Sequence, residues 1–262
     1  MNIIRFFHDS KKYYKYVIYS GKASLKSEVA ESYLSWLWWI LDPLLFMLVY
    51  TFVALIVFGR GEQYFSAFIF IGYSSYKFFE KTTKTSVKLV SANKSVVSKV
   101  FLPKYILLYS ELYVNIFKMI VSFVLVFGAM AIYQVPLTWN VFLFIPLFCL
   151  LILFTFGLGT IMMHFGVYVQ DLSNIVTVLL RLIFYMSGIF YSISNRMTGV
   201  WRDVLLKGNP MAFIIDQMRN ALLYGTGLDW EWFGIWVGIS LVLAWAGLTL
   251  ISRNENSYVK VI

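Results

Sequence analysis

A short run, Asn209-Pro210-Met-Ala-Phe-Ile-Ile-Asp216-Gln-Met-Arg219, sets a carboxylate and a guanidinium three residues apart between two long apolar stretches. Proline fixes φ and favours the first position of a helix, so Asn209-Pro210 reads as a turn into one. Asp216 and Arg219 then fall on one helix face. The segment is too short and too polar to cross a bilayer. It must lie at the membrane interface or dip in and return, and re-entrant elements of this kind line conduits. Such an element is expected in part of a transporter rather than in a plain anchor.

Four more ionisable residues fall within or beside apolar stretches: Asp42, Glu111, Lys118 and Arg181. At the bilayer centre each would cost at least ~2.5–3.5 kcal/mol if it faced lipid, so each must face protein, water or another charge. Glu111 and Lys118 are two helical turns apart and share a face, which suits either a salt bridge or snorkelling to the interface. Arg181, in Leu-Leu-Arg181-Leu-Ile-Phe-Tyr185, has two readings: pairing with a carboxylate, or meeting a phosphate that enters from the membrane. Tyr185 and Tyr191 flank it with flat ring faces on which sugars can pack; the plainer use of such rings is contact with lipid or other helices. Asp42, Arg181, Tyr185, Tyr191 and Arg219 are therefore the candidate substrate-pathway residues. His164, at the end of an apolar stretch, reads as a satisfied interfacial histidine rather than a base.

Other chemistries are excluded. No G-x-x-x-x-G-K-[ST] phosphate loop occurs, so nucleotide is not held in that way. Neither H-E-x-x-H nor G-x-S-x-G is present, and Asp203 and Asp216 are separated by a turn. Two histidines and one cysteine, Cys149, leave too few ligands for a metal site and allow no internal disulfide. No cofactor is expected in the chain.

The elements that must position these residues follow from composition. Of 262 residues, 60% are hydrophobic and only 13% charged, more apolar surface than a soluble core requires. Six spans are expected, near 36–58, 64–79, 105–133, 141–165, 172–191 and 230–251. The start, with Arg5, His8 and Asp9, does not read as a secretory signal. Residues 11–31 alternate Lys, Tyr and Ser with apolar residues, as in a helix lying on the membrane surface or a solvated tail. Residues 80–101 read as a polar loop, either a docking surface or a linker. Gly234-x-x-x-Gly238, and Gly157 with Gly159, are places where helices could approach closely.

Orientation follows the cations. Arg5, Lys11, Lys12, Lys15, Lys22 and Lys26 precede the first span. Lys77, Lys81, Lys84, Lys88, Lys94, Lys99 and Lys104 cluster around the second and third, and Arg253 and Lys260 follow the last. Arg60, Arg196, Arg202, Lys207 and Arg219 form the smaller opposite set. Both termini are thus expected in the cytoplasm. Trp36, Trp38, Trp39, Trp139, Trp230 and Trp232 mark span ends. The net charge of +9 flanks membrane segments, so anionic lipid is the expected partner and nucleic acid is not.

Several stretches together resemble one family. Leu25-Lys26, Ser32, Leu34, Trp38, Leu41 and Pro43 are similar to the approach to the first span in membrane permeases of type-2 ABC exporters, the branch that exports polysaccharides, O-antigen and teichoic acids. Val97-Ser-Lys99-Val-Phe-Leu-Pro103-Lys104, Val169-Gln-Asp171-Leu-Ser-Asn174-Ile-Val with Phe184-Tyr-Met-Ser-Gly188-Ile-Phe-Tyr191, and Asn209-Pro210 with Arg219 and Leu222-Leu223 resemble its later motifs in order. The chain departs from the pattern at Glu28-Val29, where many members have Arg-Tyr, at Ser35, where many have Gly, and at Gly188, where proline is common. The resemblance implies an all-α membrane protein with an N-terminal amphipathic interface helix, six transmembrane helices and short re-entrant helices before the last span.

It further implies one transporter domain, with residues 1–35 as the interface segment, 36–251 as the bundle and 252–262 as a cytoplasmic tail. It implies a homodimer in the bacterial inner membrane with two ATP-binding-cassette subunits that carry ATP and Mg. The substrate would be a polymer on an undecaprenyl-pyrophosphate-type lipid. Coupling to the ATPase would run through the surface helix and the 80–101 region, with Lys84, Lys88, Asn93, Lys94 and Lys99 its candidate residues. A drug or antibiotic exporter of the same superfamily, a membrane acyl- or glycosyltransferase, and a membrane scaffold are the competing readings. The enzyme would need an acid and base that are not convincingly placed, and a scaffold leaves the intramembrane charges unexplained.

Overall fold

The computed structural model describes residues 3–30, 35–53, 56, 62–100 and 102–261. Ser32, Leu34, Phe58, Arg60 and Phe101 lie outside them. No strand occurs among the described residues. The helices are α1 (Ile3–Ala30), α2 (Ser35–Phe52), α3 (Phe65–Ala92), α4 (Lys94–Val97), α5 (Tyr105–Ile132), α6 (Phe144–Tyr168), α7 (Leu172–Met186), α8 (Ile193–Arg196), α9 (Val200–Gly208), α10 (Pro210–Arg219) and α11 (Trp230–Val261). Three stretches are long and apolar enough to cross a membrane: Tyr105–Ile132, Trp139–Tyr168 and Trp230–Glu255. Trp36–Phe52 and Leu172–Met186 are shorter apolar helices.

Several expected boundaries move. The surface helix begins at Ile3, not near residue 11, and lies along α5, where the Tyr105 hydroxyl donates to Asp9 at 2.8 Å. Residues 80–92 are not a loop; they continue α3 without a break. Their buried members include Thr82, Thr83 and Ser86, and the Ser86 hydroxyl donates to the Thr82 carbonyl at 2.6 Å. A small hydroxyl that bonds its own helix can be buried without an external partner, which lets a polar-looking stretch serve as packing surface. The fifth apolar stretch ends as helix at Met186, and the tail expected after residue 251 is the continuation of α11.

α3 is the axis of the molecule. From Phe65 to Phe79 every residue except Lys77 is buried, as expected of a helix apolar on all sides. It packs on α2, α5, α6, α7 and α10. α6 runs between α3 and α11, and the glycines of α6 and α11 set how close they come. A Cβ on Gly166 would stand 1.9 Å from the Val87 carbonyl oxygen of α3, and one on Gly247 would stand 2.0 Å from Thr160 Oγ1. Gly157 meets the Ala244 backbone at 2.9 Å and Gly159 meets Ser86 Oγ at 3.0 Å, so that pair does mark close contact. Gly234 and Gly238 do not; nothing lies within 4 Å of either added Cβ.

The last turns of α11 are anchored by buried polar groups. Tyr258 is fully buried and its hydroxyl lies 2.6 Å from His164 Nδ1, which satisfies the histidine. Lys104 and Glu255 are both buried near this end. Burial lowers the Lys104 pKa and Glu255 pulls it back up. These contacts explain why the tail is ordered helix.

The glycine contacts make a direct prediction. Gly166→Ala and Gly247→Ala should each destabilise the detergent-solubilised protein by about 1–3 kcal/mol, the usual cost of overpacking a filled interface. Gly234→Ala, at an open helical position, should be neutral or slightly stabilising. Thermal unfolding midpoints check this, and equal midpoints for all three variants would contradict the packing.

Candidate functional site

The segment between α7 and α11 folds around Arg219. Asn209 caps α10: its Oδ1 accepts from the Met211 and Ala212 N–H groups at 3.0 and 3.4 Å, and Pro210 occupies the first turn, where a missing N–H costs nothing. Asn209 Nδ2 also donates to Ser187 Oγ at 3.2 Å, which ties the start of α10 to the turn after α7. That turn needs Gly188, whose φ of +64° is one that proline cannot adopt and other residues rarely do.

Arg219 closes the arrangement. It is 3% exposed, and its guanidinium donates through Nε to Phe68 O at 3.1 Å, through Nη1 to Gly188 O at 2.8 Å, and through Nη2 to Ile189 O at 2.9 Å. The guanidinium carbon sits 3.4 Å from the centroid of the Phe68 ring, a cation–π contact. Space for it comes from Gly72, where a Cβ would lie 2.6 Å from Nη2. One side chain thus joins α3, the 188–189 turn and α10. Asp216 does not bond Arg219. Its carboxylate accepts from Ser194 Oγ and Asn220 Nδ2, each at 3.2 Å. Arg219, expected along a substrate path, faces main-chain carbonyls in the interior.

The other candidates sit elsewhere. Arg181 and Tyr185 lie one turn apart on the exposed face of α7, beside Val178 and Leu182. Arg181 has no ion-pair partner among the described residues. Tyr185 is 59% exposed, and its carbonyl accepts from the Tyr191 hydroxyl at 3.2 Å. Asp42 belongs to a separate cavity between α2, α3 and α5, where the Tyr73 hydroxyl donates to it at 3.1 Å and Lys77 lies 3.9 Å away. Lys118 does not pair with Glu111. It holds Glu28 of α1 at 2.5 Å, while Glu111 accepts from Asn115 at 3.0 Å. Many of the aromatic rings pack between helices: Phe46 stacks on Tyr73 at 3.7 Å and Tyr50 on Phe190 at 4.2 Å.

The candidate coupling residues form the lower end of α3 and its exit. Lys84 and Lys88 are exposed one turn apart, opposite buried Ser86, Val87 and Val90. Asn93 ends the helix, its Nδ2 donating to Leu89 O at 2.8 Å, and the exposed Lys94 and Lys99 follow on α4 and beyond. Gly72, Ser187, Glu28 and Lys81 are site-forming residues that sequence reasoning did not select. Gly72 alone left a signal, a glycine inside an unbroken apolar run.

Phe68 O, Gly188 O and Ile189 O each lose a charged donor if Arg219 is moved. Gly72→Ala pushes the guanidinium from its seat, and Arg219→Lys removes the planar fork. Both variants should lower the thermal midpoint markedly, since the buried carbonyls of Gly188 and Ile189 would be left without a donor at about 1–3 kcal/mol each. Gly208→Ala, with open space around its added Cβ, is the control. Unchanged midpoints for Gly72→Ala and Arg219→Lys would show that the clamp carries no stability.

The chain matches the family model described as an ABC-2 type transporter over residues 19–223. It is 28% identical, across 99% of its own length and the whole of the relative, to the O-antigen export system permease protein RfbA of Myxococcus xanthus. A protein of the same name from Klebsiella pneumoniae is 24% identical over 91% of each chain. The polysialic acid transport protein KpsM of Escherichia coli is 21% identical over 86% of this chain and 87% of that one.

Proposed function

We propose, from the premise that this chain belongs to the ABC-2 type transporter family, that it is the membrane permease subunit of an ATP-driven exporter of cell-surface polysaccharide. The observation that carries this reading is the end-to-end similarity to proteins named as O-antigen export and polysialic acid transport components. The chain is a transport subunit and not an enzyme. ATP and Mg would be held by two separate nucleotide-binding subunits, and the cargo would be a polymer on an undecaprenyl-pyrophosphate-type lipid.

In this reading the 262 residues form one domain of the bacterial inner membrane with both termini in the cytoplasm. α2, α3, α5, α6, α7 and α11 are its six spans, and α8–α10 are the re-entrant elements. The exposed face of α7 supports a second copy. Beyond Asn174 in its first turn the face is largely apolar apart from Arg181, and a guanidinium facing lipid there would cost several kcal/mol. Facing a twin subunit or a conduit between the two, Arg181 can meet the phosphate of the cargo, with Tyr185 and Tyr191 beside it.

Coupling uses α3 as a lever. Lys84, Lys88, Asn93, Lys94 and Lys99 present its lower end to the ATP-binding subunit. α3 runs unbroken from Ala92 to Phe68, about 36 Å at ~1.5 Å per residue. At Phe68 the Arg219 clamp passes any displacement to α10 and to the turn that ends α7.

Arg181 supplies the test. If it grips a phosphate with its fork, lysine is a poor substitute. With membrane levels matched, Arg181→Ala and Arg181→Lys should each reduce polymer export on the order of tenfold or more, about 1.4 kcal/mol per decade. Surface polymer measured by immunoblot reports the outcome, and export at the wild-type rate in both variants would remove Arg181 from the pathway.

A further inference from the structure

A second cavity, of about 630 Å³, lies between α1, α5 and α6. Tyr14 and Ile18 of α1, Tyr109 and Ile116 of α5, and Cys149 and Phe156 of α6 are among its walls, and none of its described lining residues is charged. The gap arises because α1 packs chiefly on α5. At Gly21 the two helices come so close that a Cβ would strike the Tyr113 ring. At the other end Phe6 and Phe156 rest on the Tyr109 ring, with centroids 6.2 and 5.3 Å away. Between these contacts a trough stays open along α6, with Cys149 and Tyr14 exposed at its rim.

The depth of the trough follows from its walls. α5 and α6 are both long and apolar enough to cross a membrane. Trp139 stands just before α6, and tryptophan at a span end marks the interface. Cys149 comes ten residues later, about 15 Å at ~1.5 Å per residue, which is half of a ~30 Å hydrocarbon core. Phe156 lies about 10 Å further towards the other leaflet. The trough therefore runs from the bilayer midplane towards the leaflet on which α1 rests. An apolar gap excludes water, and what borders this one is lipid hydrocarbon.

The charge beside the trough selects among lipids. Lys11, Lys15 and Lys22 share one face of α1, next to Tyr14 and Ile18, and all are exposed. The described carboxylates of α1 are engaged by α5: Asp9 accepts from the Tyr105 hydroxyl at 2.8 Å, and Glu28 holds Lys118 at 2.5 Å. Glu111 of α5 accepts from Asn115 and does not line the trough. The cationic face of α1 thus adjoins an apolar slot, and an amphiphile with an anionic head matches both.

We propose that the trough seats one acyl chain of an anionic glycerophospholipid of the bilayer, whose phosphate is held by Lys11, Lys15 and Lys22. The chain fills the space between α1 and α6 that protein leaves open. The headgroup draws the cationic face of α1 to the membrane surface. The lipid is then a fixed part of the fold, wedging the surface helix against two spans. This inference goes beyond the export reading and needs only that α5 and α6 cross the bilayer.

The test places the full chain in phosphatidylcholine nanodiscs with phosphatidylglycerol that carries a diazirine on one acyl chain. Illumination crosslinks the probe, and mass spectrometry of the peptides locates it. Label on the peptides that hold Ile116 and Cys149 should saturate as probe is added and should be displaced by unlabelled phosphatidylglycerol, although phosphatidylcholine is in excess throughout. Label on the exposed face of α11, at Leu241 and Val242, reports ordinary lipid contact and should rise in proportion to the probe. Lys11→Gln/Lys15→Gln/Lys22→Gln, at exposed positions, should weaken the trough label on the order of tenfold. Cys149→Trp should fill the trough and remove its label while leaving that on α11.

Trough label that only tracks probe content, or that persists unchanged in the lysine variant or in Cys149→Trp, would overturn the site. Undecaprenyl phosphate added as a competitor checks the occupant. Stronger displacement by it than by phosphatidylglycerol would show a seat for isoprenyl chains and contradict the proposal; weaker displacement supports it.

Discussion

A buried guanidinium must be solvated by the protein or it destabilises the fold, and the cost is several kcal/mol. Arg219 meets that constraint with three main-chain carbonyls and the face of the Phe68 ring. Two of them, at Gly188 and Ile189, lie in the turn just after α7, where no helix bonds occupy them. The third belongs to the first turn of α3. Because the acceptors lie on three separate segments, satisfying the charge fixes α10 against α3 and fixes the shape of the α7 turn. Gly72 and Gly188 are its preconditions: one leaves room for the guanidinium, and the other lets the turn present its carbonyls.

The same helix that receives the clamp organises the remainder. α3 is buried along its apolar half and continues as a helix in which Thr82, Thr83 and Ser86 are buried, so one continuous element joins a cationic end to the clamp. Arg181 and Tyr185 stand on α7, whose C-terminal turn the clamp holds. Glu28 of α1, paired with Lys118 of α5 and 4.0 Å from Lys81, meets α3 between Phe68 and the cationic end.

Some of this was legible in the sequence. Asn209-Pro210 announced the start of α10 because capping and proline chemistry are local. Gly157 and Gly159 marked close packing, and His164 was satisfied within the fold. What was missed depended on partners far along the chain. Main-chain acceptors leave no trace in sequence, so Arg219 suggested Asp216 instead of three carbonyls. Lys118 suggested Glu111, which shares its helix face, yet seven residues span about 10 Å of helix and Glu28 is nearer in space. Residues 80–92 looked like a loop because Ser, Thr and Lys score as polar, although hydroxyls bonded within a helix pack well. Gly166 and Gly247 were not singled out, since only the crossing partner tells a contact glycine from an idle one such as Gly234.

The most direct measurement is transport in proteoliposomes that contain this chain together with its nucleotide-binding subunit. Labelled lipid-linked polysaccharide is supplied outside and ATP reaches only vesicles whose ATP-binding subunits face out. The account predicts that labelled polymer becomes protected from external glycosidase in an ATP-dependent manner, and only when both subunits are present. Protection that arises without this chain, or without ATP, would contradict it.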